Sequence, residues 1–153
     1  MSGTYRYTGK PYSSFSSSFQ PQFSAANSIV VTIKTPTVLP PGLPFGDLPP
    51  GTLVSIGDGG RQYDDVPPGV GEDITLAAQL STDPAGEIAA WNIDLKDDGF
   101  EIEGPPITTS YEIHTSGGLP KPATPIDESK MSLDPTPVWA QGMTGVSGDW
   151  SRQ

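Results

Sequence analysis

Proline and glycine are gathered into about eight short clusters along this chain, and those clusters decide most of what it can fold into. Proline fixes φ and has no N–H to give to a helix or a sheet ladder, while glycine supplies the positive φ of tight turns. The pattern recurs at Pro36, Pro40-Pro41-Gly42, Pro49-Pro50-Gly51, Gly57-Asp58-Gly59-Gly60, Pro67-Pro68-Gly69, Asp83-Pro84-Ala85-Gly86 and Ser116-Gly117-Gly118. With 18 of each in 153 residues, the two types make up about 24% of the chain, against an average nearer ~12%. A mainly helical domain is excluded. Disorder is excluded too, because dense runs of Ile, Val, Trp, Tyr and Phe separate the clusters.

Those runs have the period of strands. Tyr5 and Tyr7 share a face of Thr4–Thr8, and Ile29, Val31 and Ile33 share a face of Ser28–Thr35. Tyr12 to Phe23 reads as a serine-rich strand or loop whose rings pack on a neighbouring sheet. Thr52–Ile56 and Arg61–Val66 form a hairpin across the Gly57–Gly60 turn. Ile74, Leu76, Ala78 and Leu80 face one way, and Asp83-Pro84-Ala85-Gly86 turns that strand into Glu87–Leu95. There Trp91, Ile93 and Leu95 share a face with Ile88 out of phase, so a bulge is expected near Ala89-Ala90. Ile107–Thr115 is a further strand, Ser116-Gly117-Gly118 a break, and residues 36–50 and 119–137 are long proline-rich connections. Short strands close the tail. The expectation is one all-β domain over residues 1–153: an antiparallel β-sandwich of seven to ten strands, jelly-roll-like or Greek-key, with long Pro/Gly-rich loops.

Charge narrows the partners. The chain has 18 acidic and 8 basic side chains and a net charge of −10. Nucleic acid is therefore not an expected partner, since phosphate recognition needs clustered Lys and Arg. No apolar run approaches the ~18 residues of a membrane helix, so no membrane insertion of these residues is expected.

Several segments have a family look. Ser2-Gly3-Thr4-Tyr5-Arg6-Tyr7-Thr8-Gly9-Lys10-Pro11-Tyr12 resembles the mature N-terminus, SGTYTYTGNPF, of a group of bacterial PEP-CTERM (exosortase-sorted) proteins of unknown function. Leu80 to Ile93 resembles their hairpin STDASGNITAWNI, Ser55-Ile56-Gly57-Asp58-Gly59 their FSDG turn, and Gly148-Asp149-Trp150 their Gly-x-Trp ending. The likeness spans residues 2–95 in pieces and returns at the C-terminus. It implies export to the cell surface or extracellular matrix, and it brings no catalytic residues. The chain carries neither the secretion signal nor the sorting tail of that group, and Met1 stands directly before the mature-like start. Both segments are expected to lie outside residues 1–153.

Few side chains offer catalytic chemistry. Without cysteine there is no thiol nucleophile, thiolate metal site or disulfide, and a domain of this size needs none for export. A Ser-His-Asp triad would need His114, the single histidine, whose strand neighbours Tyr111 and Ile113 are the expected buried face. A solvent-facing histidine is the plainer reading. Paired carboxylates for glycoside hydrolysis are conceivable at Asp94 with Asp97 or Asp98, or at Glu101 with Glu103. Calcium is the better chemical expectation, at Asp97, Asp98 and Glu101, with Asp64-Asp65 and Glu72-Asp73 as further acidic pairs beside turns. Asp-rich turns that only keep the protein soluble have the same pattern.

Tyr5, Tyr7 and Tyr12, with Phe15 and Phe19, are dense enough to make a sugar-stacking platform, although a small sandwich also needs such rings in its core. Trp91 is assigned to the core; the turn-rich surroundings of Trp139 and Trp150 assign them to no face. The functional expectation is a non-catalytic secreted or cell-surface protein acting in adhesion, biofilm or assembly, with no required cofactor. Its expected partners are an extracellular polysaccharide or further copies of itself. The alternatives are a carbohydrate-binding module, with or without calcium, and a small glycoside-active enzyme.

Overall fold

A computed structural model describes residues 1–17, 21–99, 110–118, 125–132 and 138–153, and within them the chain is all β. The strands are β1 (Gly3–Thr8), β2 (Ser14–Ser17), β3 (Val30–Thr35), β4 (Gly46–Asp47), β5 (Leu53–Gly57), β6 (Gln62–Val66) and β7 (Gly69–Val70). They continue as β8 (Ile74–Thr82), β9 (Ile88–Asp97), β10 (Ser110–Gly118), β11 (Ile126–Ser132), β12 (Val138–Thr144) and β13 (Asp149–Arg152). Two antiparallel sheets pack face to face. One has the order β13-β1-β3-β5-β6; the other runs β2-β12-β11-β10-β9-β8-β4, with β7 also paired to β8.

The path has two parts. From β1 to β5 the chain crosses between the sheets at every step, whereas β8 to β12 is an up-and-down meander within the larger sheet. Among the described residues no helix is long and apolar enough to cross a membrane.

Alternation along each strand selects the core. Tyr5 and Tyr7 of β1, Val31 and Ile33 of β3, Val54 and Ile56 of β5 and Trp91, Ile93 and Leu95 of β9 all point inward. With Leu76, Leu80, Tyr111, Ile113 and Met131 they form one buried cluster to which both sheets contribute. The hairpin between β8 and β9 has the expected turn: Asp83 Oδ1 accepts the N–H groups of Ala85 and Glu87 at 2.8 and 3.0 Å, and Gly86 takes φ +85°. The expected bulge is present as well. Ser81 pairs with Ala90 and Thr82 with Ile88, which leaves Ala89 as the extra residue.

Three expectations need correction. The described residues hold thirteen strands rather than seven to ten. Residues 119–137 are not one long loop, because β11 occupies Ile126–Ser132. Ser116-Gly117-Gly118 does not break β10 but completes it. Gly117 is needed there for close approach: a Cβ at this position would lie 2.8 Å from the indole of Trp91, its cross-strand partner.

Candidate functional site

Three aromatic rings meet at one end of the sandwich. Tyr7 lies 5.3 Å from both Trp91 and Trp150, ring centre to ring centre, and the two indoles meet edge to face at 5.8 Å. Strand pairing places them there, since Tyr7 is opposite Trp150 in the β1–β13 ladder and the Ala89 bulge sets Trp91 inward on β9. Trp91 is almost fully buried, but Trp150 is half-buried, and both line an open groove of about 460 Å³. Ile88, Gly118 and Pro125 supply further wall, and the carboxylates of Glu87 and Asp149 stand at its rim. Trp150 Nε1 finds no acceptor among the described residues.

A buried polar chain holds these rings. Trp91 Nε1–H donates to Thr115 Oγ1 at 3.0 Å, and Thr115 donates to Asp127 Oδ1 at 2.6 Å. Tyr7 donates to the same carboxylate at 2.8 Å and accepts the Gly148 N–H at 2.8 Å. Asp127 is 1% exposed, and burial pushes its carboxyl up from 3.8 to about 6 despite the hydrogen bonds from Thr115 and Tyr7. Burial and the Asp127 charge push the Tyr7 phenol up as well.

A second buried carboxylate ties the β5–β6 turn into the core. Asp58 Oδ1 accepts the backbone N–H groups of Gly60 and Arg61, each at 2.9 Å. Its Oδ2 accepts the hydroxyls of Tyr111 and, at 2.6 Å, Ser129, and Ser129 shares a further hydrogen bond with Tyr12 at 2.6 Å. Each hydroxyl and carboxylate oxygen in this set has a partner, which is what makes a polar cluster tolerable in a core.

On the outward face of the larger sheet, Ala77, Asp94, His114, Glu128 and Met143 stand in one row across five strands. His114 places Nε2 2.8 Å from Asn92 Oδ1 and Nδ1 3.4 Å from Glu128 Oε1. Both ring nitrogens thus face acceptors, an arrangement that suits the imidazolium. Burial works against that charge, but the hydrogen bond to Glu128 and the fields of Asp94, Glu128 and Glu112 outweigh it and raise the pKa of His114. Glu128 moves the opposite way. Against the burial penalty, hydrogen bonds from His114, Lys130 and Gln141 bring it down to about 2. Burial and the neighbouring Glu112 raise Asp94 to about 7, and its buried Oδ1 lacks a partner.

The structure separates the alternatives left open for the residues singled out from sequence. Tyr5, Tyr7 and Tyr12 are 1, 0 and 1% exposed, so they are core rings and present no platform to a sugar. Their phenol oxygens bond Leu39 N–H, Asp127 and Ser129 inside the sandwich. Phe15 is about half exposed, and Phe19 lies outside the described residues. Trp139 is in β12, but its side chain is outside the described set.

For calcium, Asp97 turns inward at the end of β9, where it accepts Tyr63 Oη–H at 2.8 Å and Gly99 N–H at 3.0 Å and faces Arg61 at 3.7 Å. Asp98 points away toward Lys96, and Glu101 is outside the described residues. Asp65 pairs with Lys34, and Asp64 accepts from Gln62. Among the described residues no group of three or more His, Asp or Glu side chains could hold a metal ion. The carboxylate pair expected at Asp94 and Asp97 is also corrected, since the two project from opposite faces of β9. Glu101 and Glu103 both fall outside the described residues.

His114 lies on the outward face of β10 as expected but is half-buried among its neighbours there, and Tyr111 and Ile113 are buried as expected. Sequence reasoning missed Asp58 as a core carboxylate, Asp127 and Trp150. A second hollow over residues 64–74 matches the groove in volume but has no aromatic wall. No protein-family model, curated protein or solved structure matches the chain.

Proposed function

We propose that this is a non-catalytic β-sandwich that works outside the cell, at its surface or in the surrounding matrix, and that it takes a neutral polysaccharide in the Trp150 groove. The observation that carries the reading is the half-buried indole of Trp150, fixed by Trp91 and Tyr7 and flanked by the acceptor carboxylates of Glu87 and Asp149. An indole face suits the apolar face of a pyranose, and carboxylates at the rim accept its hydroxyls. Anionic polymers are disfavoured by the −10 charge. The PEP-CTERM-like segments, including Gly148-Asp149-Trp150 at this groove, support the extracellular setting.

Binding to a panel of neutral and acidic glycans, followed by calorimetry on any hit, tests the reading. The expected result is binding of a neutral glycan that survives EDTA and falls at least tenfold in Trp150→Ala and in Glu87→Gln. Failure of every neutral glycan, or unchanged affinity in both variants, overturns it. Cell fractionation of a producing strain tests the setting, and recovery only from the cytosol rejects it.

A further inference from the structure

Most basic side chains of this acidic protein stand beside a carboxylate. Lys10 faces Asp149, Lys34 faces Asp65, Arg61 faces Asp97, Lys96 faces Asp98, and Lys130 faces Glu112 and Glu128. Among the described residues, Arg6 and Arg152 are the Lys and Arg side chains with no ion pair or side-chain hydrogen bond. Arg6 is on the outward face of β1, because Tyr5 and Tyr7 on either side of it point into the core. Arg152 is on the side of the groove.

Two observations place it there. In the β1–β13 ladder Arg152 is opposite Tyr5 as Trp150 is opposite Tyr7, so the guanidinium and the indole share one face of β13, ~7 Å apart along the strand. The tip of Arg152 also reaches the β8–β9 turn. A Cβ on Gly86 would lie 4.0 Å from Arg152 Nη1, and 3.9 Å from both Leu39 O and Pro41 Cγ. Glu87, the rim acid of the groove, is the next residue after Gly86. The gap between β13 and this turn therefore carries an exposed guanidinium with no protein partner, beside the indole and carboxylate already assigned to the sugar.

We propose that Arg152 is a specificity-determining residue that extends the Trp150 groove to a second subsite, where its guanidinium binds adjacent hydroxyls of the next neutral sugar in the chain. The proposal rests on the sugar reading of the groove and adds to it a minimum length and a chemical preference. An aromatic face holds one ring and leaves selection to a few placed polar groups. The guanidinium presents parallel N–H donors in a rigid plane, and neighbouring pyranose hydroxyls present acceptor oxygens side by side. Each hydroxyl also has a proton to donate, and Glu87 beside the turn accepts it. A hydroxyl thus satisfies the arginine and the glutamate together. A uronate carboxylate would satisfy Arg152 but meet Glu87 with like charge.

Proton–nitrogen NMR of the full chain, followed at the Trp150 indole N–H and assigned by its loss in Trp150→Phe, reads weak and tight binding alike. The probes are glucose against cellobiose and cellotriose, mannose against mannobiose, and digalacturonate. The expected result is that a neutral disaccharide binds at least tenfold more tightly than its own monosaccharide. In Arg152→Ala that gain is expected to fall below threefold, and Arg152→Lys, which keeps the charge without the planar fork, is not expected to restore it. Arg152 is exposed, so an unchanged thermal midpoint in both variants shows that the fold is kept. Shifts at Trp150 with no gain from the second sugar, or a gain that survives Arg152→Ala or returns in Arg152→Lys, overturn the second subsite and leave the groove reading standing. Tighter binding of digalacturonate than of the neutral disaccharides overturns the preference for hydroxyls. No shift with any probe overturns the proposal together with the groove reading.

Discussion

The phenol of Tyr7 donates a 2.8 Å hydrogen bond to Asp127, a residue 120 positions away and 1% exposed, and so links β1 of the smaller sheet to β11 of the larger one. The same carboxylate, through Thr115, also fixes Trp91. One buried acid thus sets the rings that wall the candidate groove.

That acid makes stability depend on pH in an unusual direction. Asp127 has its carboxyl near 3.8 when unfolded and near 6 when folded. Its contribution is fully favourable below pH 4 and is lost as the pH rises through 6. Asp94, raised to about 7, acts in the same direction. Lowering the pH from 8 to 5 is expected to raise the thermal midpoint, with Asp127 contributing about 1 kcal/mol over that range. Asp127→Asn should flatten that dependence. Thermal unfolding followed by circular dichroism at closely spaced pH values checks both.

Glu128 sets the acid limit. Its carboxyl is lowered to about 2, so its stabilisation is present above pH 4.5 and is lost as the pH falls through 2. Together with Asp127 this places maximal stability at about pH 4, where in the folded chain Glu128 is still ionised and Asp127 keeps its proton. His114 is the single histidine, so its ring protons report without ambiguity in an NMR titration. The raised pKa is expected to drop toward 6.5 in Glu128→Gln, since that change removes the hydrogen-bonded partner. An unchanged titration would show that Asp94 and Glu112 hold the charge instead.

Asp58→Ala leaves the hydroxyls of Tyr111 and Ser129 and the N–H groups of Gly60 and Arg61 without their acceptor. Uncompensated buried groups of this kind cost about 3–5 kcal/mol. Urea unfolding should show that loss. An exposed acid such as Asp98, changed to Ala, should cost less than about 0.5 kcal/mol.

Gly142→Ala puts a methyl 2.6 Å from Phe23 Cβ and 2.7 Å from the Tyr12 ring. Overpacking of that kind costs about 1–3 kcal/mol. Gly117→Ala does the same to Trp91, and a shift in tryptophan emission should accompany its lower midpoint.

Legibility followed the chemistry of the inward side chains. β3 and β9 were readable because Ile29, Val31 and Ile33, and then Trp91, Ile93 and Leu95, recur at every second position of β-branched and aromatic runs. The bulge at Ala89 was readable because Ile88 falls out of phase. β11 was hidden because its inward positions are Asp127 and Ser129, followed by Met131, so alternation of hydrophobicity does not exist for most of its length. The end of β10 was hidden because glycine in a strand has the same letters as glycine in a turn. Only the Trp91 ring lying on Gly117 separates them.

Composition and local pattern were enough to determine an all-β chain, its hairpins and its acidic, cysteine-free character, because turn chemistry and two-residue alternation act between near neighbours. Tertiary structure alone decided that Tyr5, Tyr7 and Tyr12 face inward, that Asp97 turns to Tyr63 and Arg61, and that Trp150 walls a groove. Those outcomes depend on which hydrogen-bonding partner is brought close from a strand far along the chain. A phenol or carboxylate goes inside only where such a partner removes the cost of leaving water.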